Sequence, residues 1–184
     1  NIRSLAGYVT ARDGEHLAFV IIVNNFEGTG AQATSAVDAI ATRLPGVEIV
    51  CSSQVLPEIR EYERTATTAC EAYARPGVQR YLDNLTGRVA SLGMPAPGVV
   101  SSSGGMREAH DAARHAASLA LSGPAGGVAG AALVARLAGF DRALSIDIGG
   151  TSADVGLILD GEPLVEAGGA VAGIPIALPR VLVE

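Results

Sequence analysis

Asp147-Ile148-Gly149-Gly150-Thr151-Ser152-Ala153-Asp154 sets two carboxylates and a hydroxyl around a Gly-Gly turn. Period-2 apolar runs flank it, Leu144/Ile146/Ile148 before and Val155/Leu157/Leu159 after, so the simplest local structure is a β-hairpin with polar groups at its tip. Glycine lets backbone amides approach an anion without interference from Cβ, and consecutive turn amides form a concave anion site. A carboxylate at a strand end suits hydrated Mg²⁺, which keeps waters and takes one or two carboxylates plus phosphate oxygens. The same letters also fit a plain hairpin in which Gly-Gly supplies positive φ and the polar residues are solvated.

A second glycine-rich stretch, Ser122-Gly123-Pro124-Ala125-Gly126-Gly127, reads as a turn feeding an Ala-rich helix that runs to about residue 138. A glycine turn at a helix start offers free amides and the positive end of the helix dipole to a nucleotide. Close helix packing accounts for the same glycines equally directly. Ser101-Ser102-Ser103-Gly104-Gly105 is a similar loop, read as a strand-to-helix connection able to hold an anion or simply to connect.

Outward from these motifs, strands and helices alternate after residue 46, which predicts an α/β unit. A long helical stretch opens near Pro57 with Glu58-Ile59-Arg60-Glu61-Tyr62-Glu63-Arg64, and Pro76-Gly77 is expected to interrupt or kink it. Its second part carries Val78, Tyr81, Leu82, Leu85, Val89 and Leu92 on one stripe. The charge run reads as a solvated helix face, or as a source of Arg60 or Arg64 for a phosphate or carboxylate. A polar helix is expected at about 107–121. Its His110 and His115 lie five apart, off a shared helical face and open to solvent. Short strands are expected at 47–51 and 97–101, and Asp160-Gly161-Glu162 is a further turn. At the amino end, strands at 4–10 and 16–24 flank a turn at Arg12-Asp13-Gly14. A helix follows with Val37, Ile40, Ala41 and Leu44 on one face, stopped by Pro45-Gly46.

The chain's 184 residues suffice for one ordinary domain or two small ones. A net charge of −6 argues against general binding to nucleic acid or an anionic membrane. All 13 basic residues are arginine. Without lysine there is no Walker-type phosphate-loop lysine, no Ser-x-x-Lys nucleophile pair, no Lys-Thr-Gly strand motif and no Schiff base. Cys51 and Cys70 are too far apart for a Cys-x-x-Cys motif and are expected as buried free thiols. No Gly-x-Ser-x-Gly elbow supports a Ser-His-Asp site. No apolar run is long enough for a membrane span.

From about residue 52 onward the sequence resembles the hydantoinase A/5-oxoprolinase family, which includes relatives of the acetone carboxylase type. The blocks that carry the resemblance occur in family order. They are Ser53-Gln54-Val55-Leu56-Pro57-Glu58-Ile59-Arg60-Glu61-Tyr62-Glu63-Arg64-Thr65, then Ala72-Tyr73 with Pro76, Ser103-Gly104-Gly105, the stretch 122–130, and the octapeptide 147–154. The family pattern has Asn where Glu71 and Ser103 stand.

The resemblance implies an α/β fold, a partial actin-like ATPase (ribonuclease H-like) domain over 47–184, with ATP and Mg²⁺ as cofactors. It also implies ATP-dependent hydrolysis of a cyclic amide of the hydantoin or 5-oxoproline type; in carboxylating relatives carbon dioxide is captured instead. Asp147 would position the metal, with Asp154 as second carboxylate. Gly149, Gly150, Thr151 and Ser152 would contact phosphates, and Ser122, Gly123, Gly126 and Gly127 would lie near the nucleotide. The partners implied are a cyclic amide or related carbonyl substrate and a second hydantoinase-type subunit, in the cytoplasm. The family's amino-terminal domain, with its own Asp-x-Gly-Gly-Thr hairpin, is not found in this sequence. The expectation is therefore a piece of a longer enzyme, holding half of an ATP clamp and binding nucleotide weakly alone.

Residues 1–44 resemble something different, the carboxy-terminal end of the D-alanyl-D-alanine carboxypeptidase family of penicillin-binding proteins. The match is Asn1-Ile2-Arg3-Ser4-Leu5-Ala6-Gly7-Tyr8-Val9-Thr10, then Leu17-Ala18-Phe19 through Val23-Asn24-Asn25-Phe26-Glu27-Gly28. Lacking Lys-Thr-Gly and Ser-x-x-Lys, this segment carries no peptidase chemistry. The sequence thus divides into a β-hairpin plus helix at 1–46 and a hydantoinase A-like part at 47–184, as in a fusion of two gene fragments.

Overall fold

The computed structural model describes residues 2–10, 14–24, 27–41, 50–150 and 153–184. Strands β1 (Ile2–Thr10) and β2 (His16–Asn24) form an antiparallel hairpin in which Ile2 pairs with Asn24 and Thr10 with His16. Helix α1 (Gly30–Ala41) packs against both strands. Its start is a reciprocal cap, with Gln32 N–H donating to Thr29 Oγ1 at 3.3 Å and Thr29 N–H to Gln32 Oε1 at 2.9 Å. The expected apolar face is displaced: α1 buries Ala33 and Val37, while Ile40 is exposed. Arg12 and Asp13 of the expected turn, and Leu44, Pro45, Gly46 and the first three residues of the strand expected at 47–51, lie outside the described residues. Cys51 is in no strand; it precedes the short helix α2 (Ser52–Val55).

Helix α3 (Glu61–Ser91) continues over 31 residues, past Pro76, so the helix is not interrupted there. One proline removes one N–H and costs about 3 kcal/mol in a helix interior, which tertiary contacts along α3 offset. Leu82 is buried and Val78 and Leu85 pack around it, but Tyr81 and Leu92 stay exposed, so the buried stripe is narrower than the periodicity suggests. Gly93 at φ 69 ends the helix, with its N–H bonded to Ala90 O and that of Met94 to Val89 O.

Strands β3 (Gly98–Val100) and β4 (Met106–Glu108) pair across the Ser101–Gly105 loop, which is therefore a hairpin connection and leads to no helix directly. The polar helix expected at 107–121 is broken into α4 (Ala109–Ala113) and a 3₁₀ turn (Ala116–Leu119). Helix α5 (Ser122–Leu137) takes in the whole Ser-Gly-Pro-Ala-Gly-Gly stretch, so those glycines form the first turns of the helix and no preceding turn. Pro is tolerated there because first-turn N–H groups have no intrahelical acceptor.

Strands β5 (Ala143–Ile148) and β6 (Ala153–Leu159) form the hairpin expected around Asp147, joined by β7 (Glu162–Pro163) beside β6. Three short strand pairings complete the chain: β8 (Val165–Glu166) with β11 (Arg180–Val181), β9 (Gly169–Val171) with β10 (Ile174–Ile176), and Val183 bridged to Gly156. Every strand pairing among the described residues is antiparallel, so the mixed α/β fold holds no parallel sheet there. The core lies between α5 and β6, where Ala125, Val128 and Ala132 meet Ile158 and Val181. A second cluster joins Leu82 of α3 to Ala109, Ala112 and Ala113 of α4.

Candidate functional site

In the β5–β6 register Asp147 stands directly opposite Asp154, with Ser145 opposite Gly156 and Ala143 opposite Ile158 on the same face. That face looks onto α5, because Ile158 is wholly buried against it. The other face carries Leu144, Ile146 and Ile148, and all three are exposed. Side chains directly opposite on one face have Cβ atoms about 4.5–5.5 Å apart, and like charges so placed are destabilising. The two aspartates are thus a local cost to the hairpin.

Asp147, Asp154 and Ser145 line a cleft of about 250 Å³ together with Pro124 and Gly127 of α5. Two motifs separated by some 20 residues in the sequence therefore meet at one place. Helix α5 enters it with no acidic residue and no side-chain cap in its first turn. The N–H groups of Ser122 and Gly123 have no acceptor within the helix, and the dipole makes this end positive. Leu121, immediately before, holds φ 62 and ψ 23, a left-handed conformation strained for a branched L-residue.

A Cβ on Gly123, Gly127 or Gly130 would meet nothing within 4 Å among the described residues, so close packing does not explain these glycines. Gly126 is different; its Cβ position lies 3.6 Å from Val100 Cγ1, in ordinary contact with β3. Gly149 and Gly150 sit exposed at the hairpin tip, and Thr151 and Ser152 lie outside the described residues. Ser122, Gly123 and Gly126 do not line the cleft with the aspartates. Sequence reading overlooked Ser145 and Gly156, because nothing in the letters ties them to α5.

No group of three or more His, Cys, Asp or Glu side chains converges among the described residues. Two carboxylates on one sheet face fit Mg²⁺, which is held by one or two carboxylates plus waters and phosphate oxygens; they do not fit an all-protein cage.

Elsewhere, of the polar residues singled out by sequence, Arg64, Glu71 and His115 have structural partners, while Arg60 is exposed. Arg64 donates from Nε to Ser52 Oγ at 2.9 Å and ties α3 to α2. Glu71, buried within α3, accepts from Ala116 N–H at 3.0 Å, Ala117 N–H at 2.7 Å and Arg75 Nε at 3.0 Å. His110 is exposed, as expected, but His115 is engaged: its Nδ1 lies 2.9 Å from the backbone oxygen of Asp111. A carbonyl only accepts, so Nδ1 carries the proton in the neutral ring. Arg107 beside Asp111 holds its carboxyl below the ordinary 3.8. Both cysteines are free thiols, Cys51 buried and Cys70 half-buried. No helix among the described residues is long and apolar enough to cross a membrane.

Comparison with known proteins bears on the same region. The chain is 31% identical over 150 residues to the caprolactamase subunit alpha of Pseudomonas jessenii, covering 81% of this chain and 22% of that protein. It is 30% identical over 139 residues to the acetone carboxylase beta subunit of Xanthobacter autotrophicus, covering 75% and 19%. The crystal structure of ATP-dependent caprolactamase from Pseudomonas jessenii matches with a TM-score of 0.68 and 31% identity, over 84% of this chain and 22% of that one. A nucleotide-free structure of acetone carboxylase matches with a TM-score of 0.69 and 26% identity, over the same shares. The chain thus spans about a fifth of the length of the curated relatives it matches. The hydantoinase/oxoprolinase family model matches residues 64–184, and the chain belongs to the hydantoinase/oxoprolinase family.

Proposed function

We propose that this chain is part of an enzyme that uses ATP and Mg²⁺ to open a cyclic amide of the hydantoin or 5-oxoproline type, and that the cleft between α5 and the β5–β6 hairpin receives the phosphates. The observation that carries the reading is the cross-strand pair Asp147 and Asp154 sharing one cleft with Pro124 and Gly127 near the start of α5. In this reading the fold is a partial actin-like ATPase domain over 47–184, behind a separate hairpin-helix segment at 1–46. Asp147, seconded by Asp154, would hold the metal. Gly149, Gly150, Thr151 and Ser152 would contact the phosphates, and Ser122 and Gly123, at the positive end of α5, would lie near the nucleotide. Gly127 leaves the path open.

Transfer of the γ-phosphoryl group to the amide oxygen releases ADP and turns an unreactive carbonyl into an electrophile; water then adds at carbon, the C–N bond opens and phosphate leaves. Bound Mg²⁺ supplies charge neutralisation of the phosphates. This chain's own contribution is position: the two aspartates and the helix start are fixed on rigid elements before the ligand arrives. Calorimetric titration with Mg·ATP beside Asp147→Asn tests it. Saturable binding lost in the variant supports the reading. Absence of binding in folded wild-type protein overturns the cleft as a nucleotide site of this chain.

A second reading is a subunit that acts only with a partner, and a specific observation favours it. Among the described residues strand β5 pairs on one side alone, with β6, and its outward Leu144, Ile146 and Ile148 are 66%, 64% and 78% exposed. An open strand edge beside an apolar face is a surface that proteins normally cover. The relatives named as subunits alpha and beta point the same way. Co-expression with a second hydantoinase-type subunit tests it: activity in the pair and none in the chain alone supports this reading.

A further inference from the structure

A second cleft, of about 620 Å³, opens between α3, α4 and residues 178–179 and shares no lining residue with the cleft at Asp147. We propose that it binds a small oxyanion, a carboxylate or phosphate, through Arg114 and Arg107 above the fixed guanidinium of Arg75.

The charge pattern is the first ground. In a chain of net charge −6, this one cleft gathers three of the 13 arginines and two of the three histidines. Its two acids are already engaged. Glu71 is held by two backbone amides and Arg75, and Asp111 by Arg107 at 2.7 Å and His115 at 3.4 Å. Arg114 reaches no carboxylate within ion-pair distance among the described residues.

Preorganisation is the second ground. Arg75 donates from Nε to Glu71 and from Nη2 to the backbone oxygen of Arg114 at 3.0 Å, so its plane is clamped at both ends and loses little freedom on meeting an anion. The third ground is the donor set. Two of the three wall hydroxyls donate inside the protein, Ser118 to His115 O at 2.7 Å and Ser101 to Gly105 O at 3.1 Å, and the third, Ser103, lies 3.0 Å from Ser101 Oγ. Of the donors that remain, the arginine N–H groups are cationic and suit an oxyanion, with the neutral amide of Gln54 beside them. Val55, Leu178 and Pro179 add an apolar wall suited to a short aliphatic body.

The test is calorimetric titration of the whole chain with glutarate and, separately, with inorganic phosphate. The variants are Arg114→Gln, and Arg88→Gln as a surface-charge control outside the cleft. The expected result is saturable binding with a Kd of about 1 mM or tighter, weakened about tenfold or more by Arg114→Gln and unchanged by Arg88→Gln. Tighter glutarate assigns the site to an aliphatic carboxylate, and tighter phosphate to a phosphate. Failure of both probes to saturate, or equal loss in Arg88→Gln and Arg114→Gln, overturns the proposal. Because Mg·ATP and Asp147→Asn test the nucleotide reading separately, failure here is distinguishable from failure of that reading.

Discussion

Gly156 of β6 lies so close to Val128 of α5 that a Cβ there would stand 2.8 Å from Val128 Cγ1, nearer still to Cγ2, and 2.7 Å from Ser145 Oγ. Strand and helix approach this closely only because position 156 has no side chain. That approach seats Ile158 in the core and brings Asp147 and Asp154 over the start of α5. Gly156→Ala is expected to destabilise the fold by about 1–3 kcal/mol through overpacking, read from urea unfolding. Its Mg·ATP affinity is expected to fall with it. An unfolding midpoint equal to wild type would mean that the hairpin sits elsewhere.

Asp147→Asn separates a site residue from a structural one. It removes a like-charge pair directly across the ladder, so stability is expected to hold or rise by about 0.2–1 kcal/mol while Mg·ATP binding disappears. Loss of stability together with binding would make the aspartate a fold residue instead.

Glu71 is the buried polar anchor between α3 and the 3₁₀ turn. Glu71→Ala strands two buried amides and breaks the ion pair with Arg75, and the expected cost is about 3–5 kcal/mol in denaturant unfolding. Glu71→Gln keeps one carbonyl acceptor for the amides and is expected to cost less.

Helix α3 offers a test of its own continuity. Gly77 is exposed in the helix interior, and a Cβ there would meet nothing within 4 Å. Gly77→Ala is expected to stabilise by about 0.5–1 kcal/mol. A loss would show that the helix breaks at Pro76.

Cys51 sets an alkaline limit. Burial, then the neighbouring Asp38, push its thiol up from the ordinary 9.0 to about 11. The folded pKa is raised, so this contribution to stability is complete below pH 9.0 and is lost as pH climbs through about 11. Cys51→Ser is expected to flatten that limb of the stability profile in urea titrations. Iodoacetamide at pH 8 is expected to label unfolded chains much faster than folded ones at this position.

The sequence alone determined the local chemistry of this protein. The period-2 runs beside Gly149-Gly150 specified the β5–β6 hairpin, and the ordered motif blocks specified the family, since strand alternation and turn glycines are written in adjacent letters. Tertiary contact decided the rest. Local breakers misled where distant packing outweighed them, so α3 passes through Pro76 and the glycines expected as a turn open α5. No spacing in the chain announces that Asp147 and Asp154 look across at Gly127, or that Arg75, Arg107 and Arg114 share a cleft. Those meetings depend on the close approach at Gly156 and the buried carboxylate of Glu71, which exist only once elements far apart in sequence have packed.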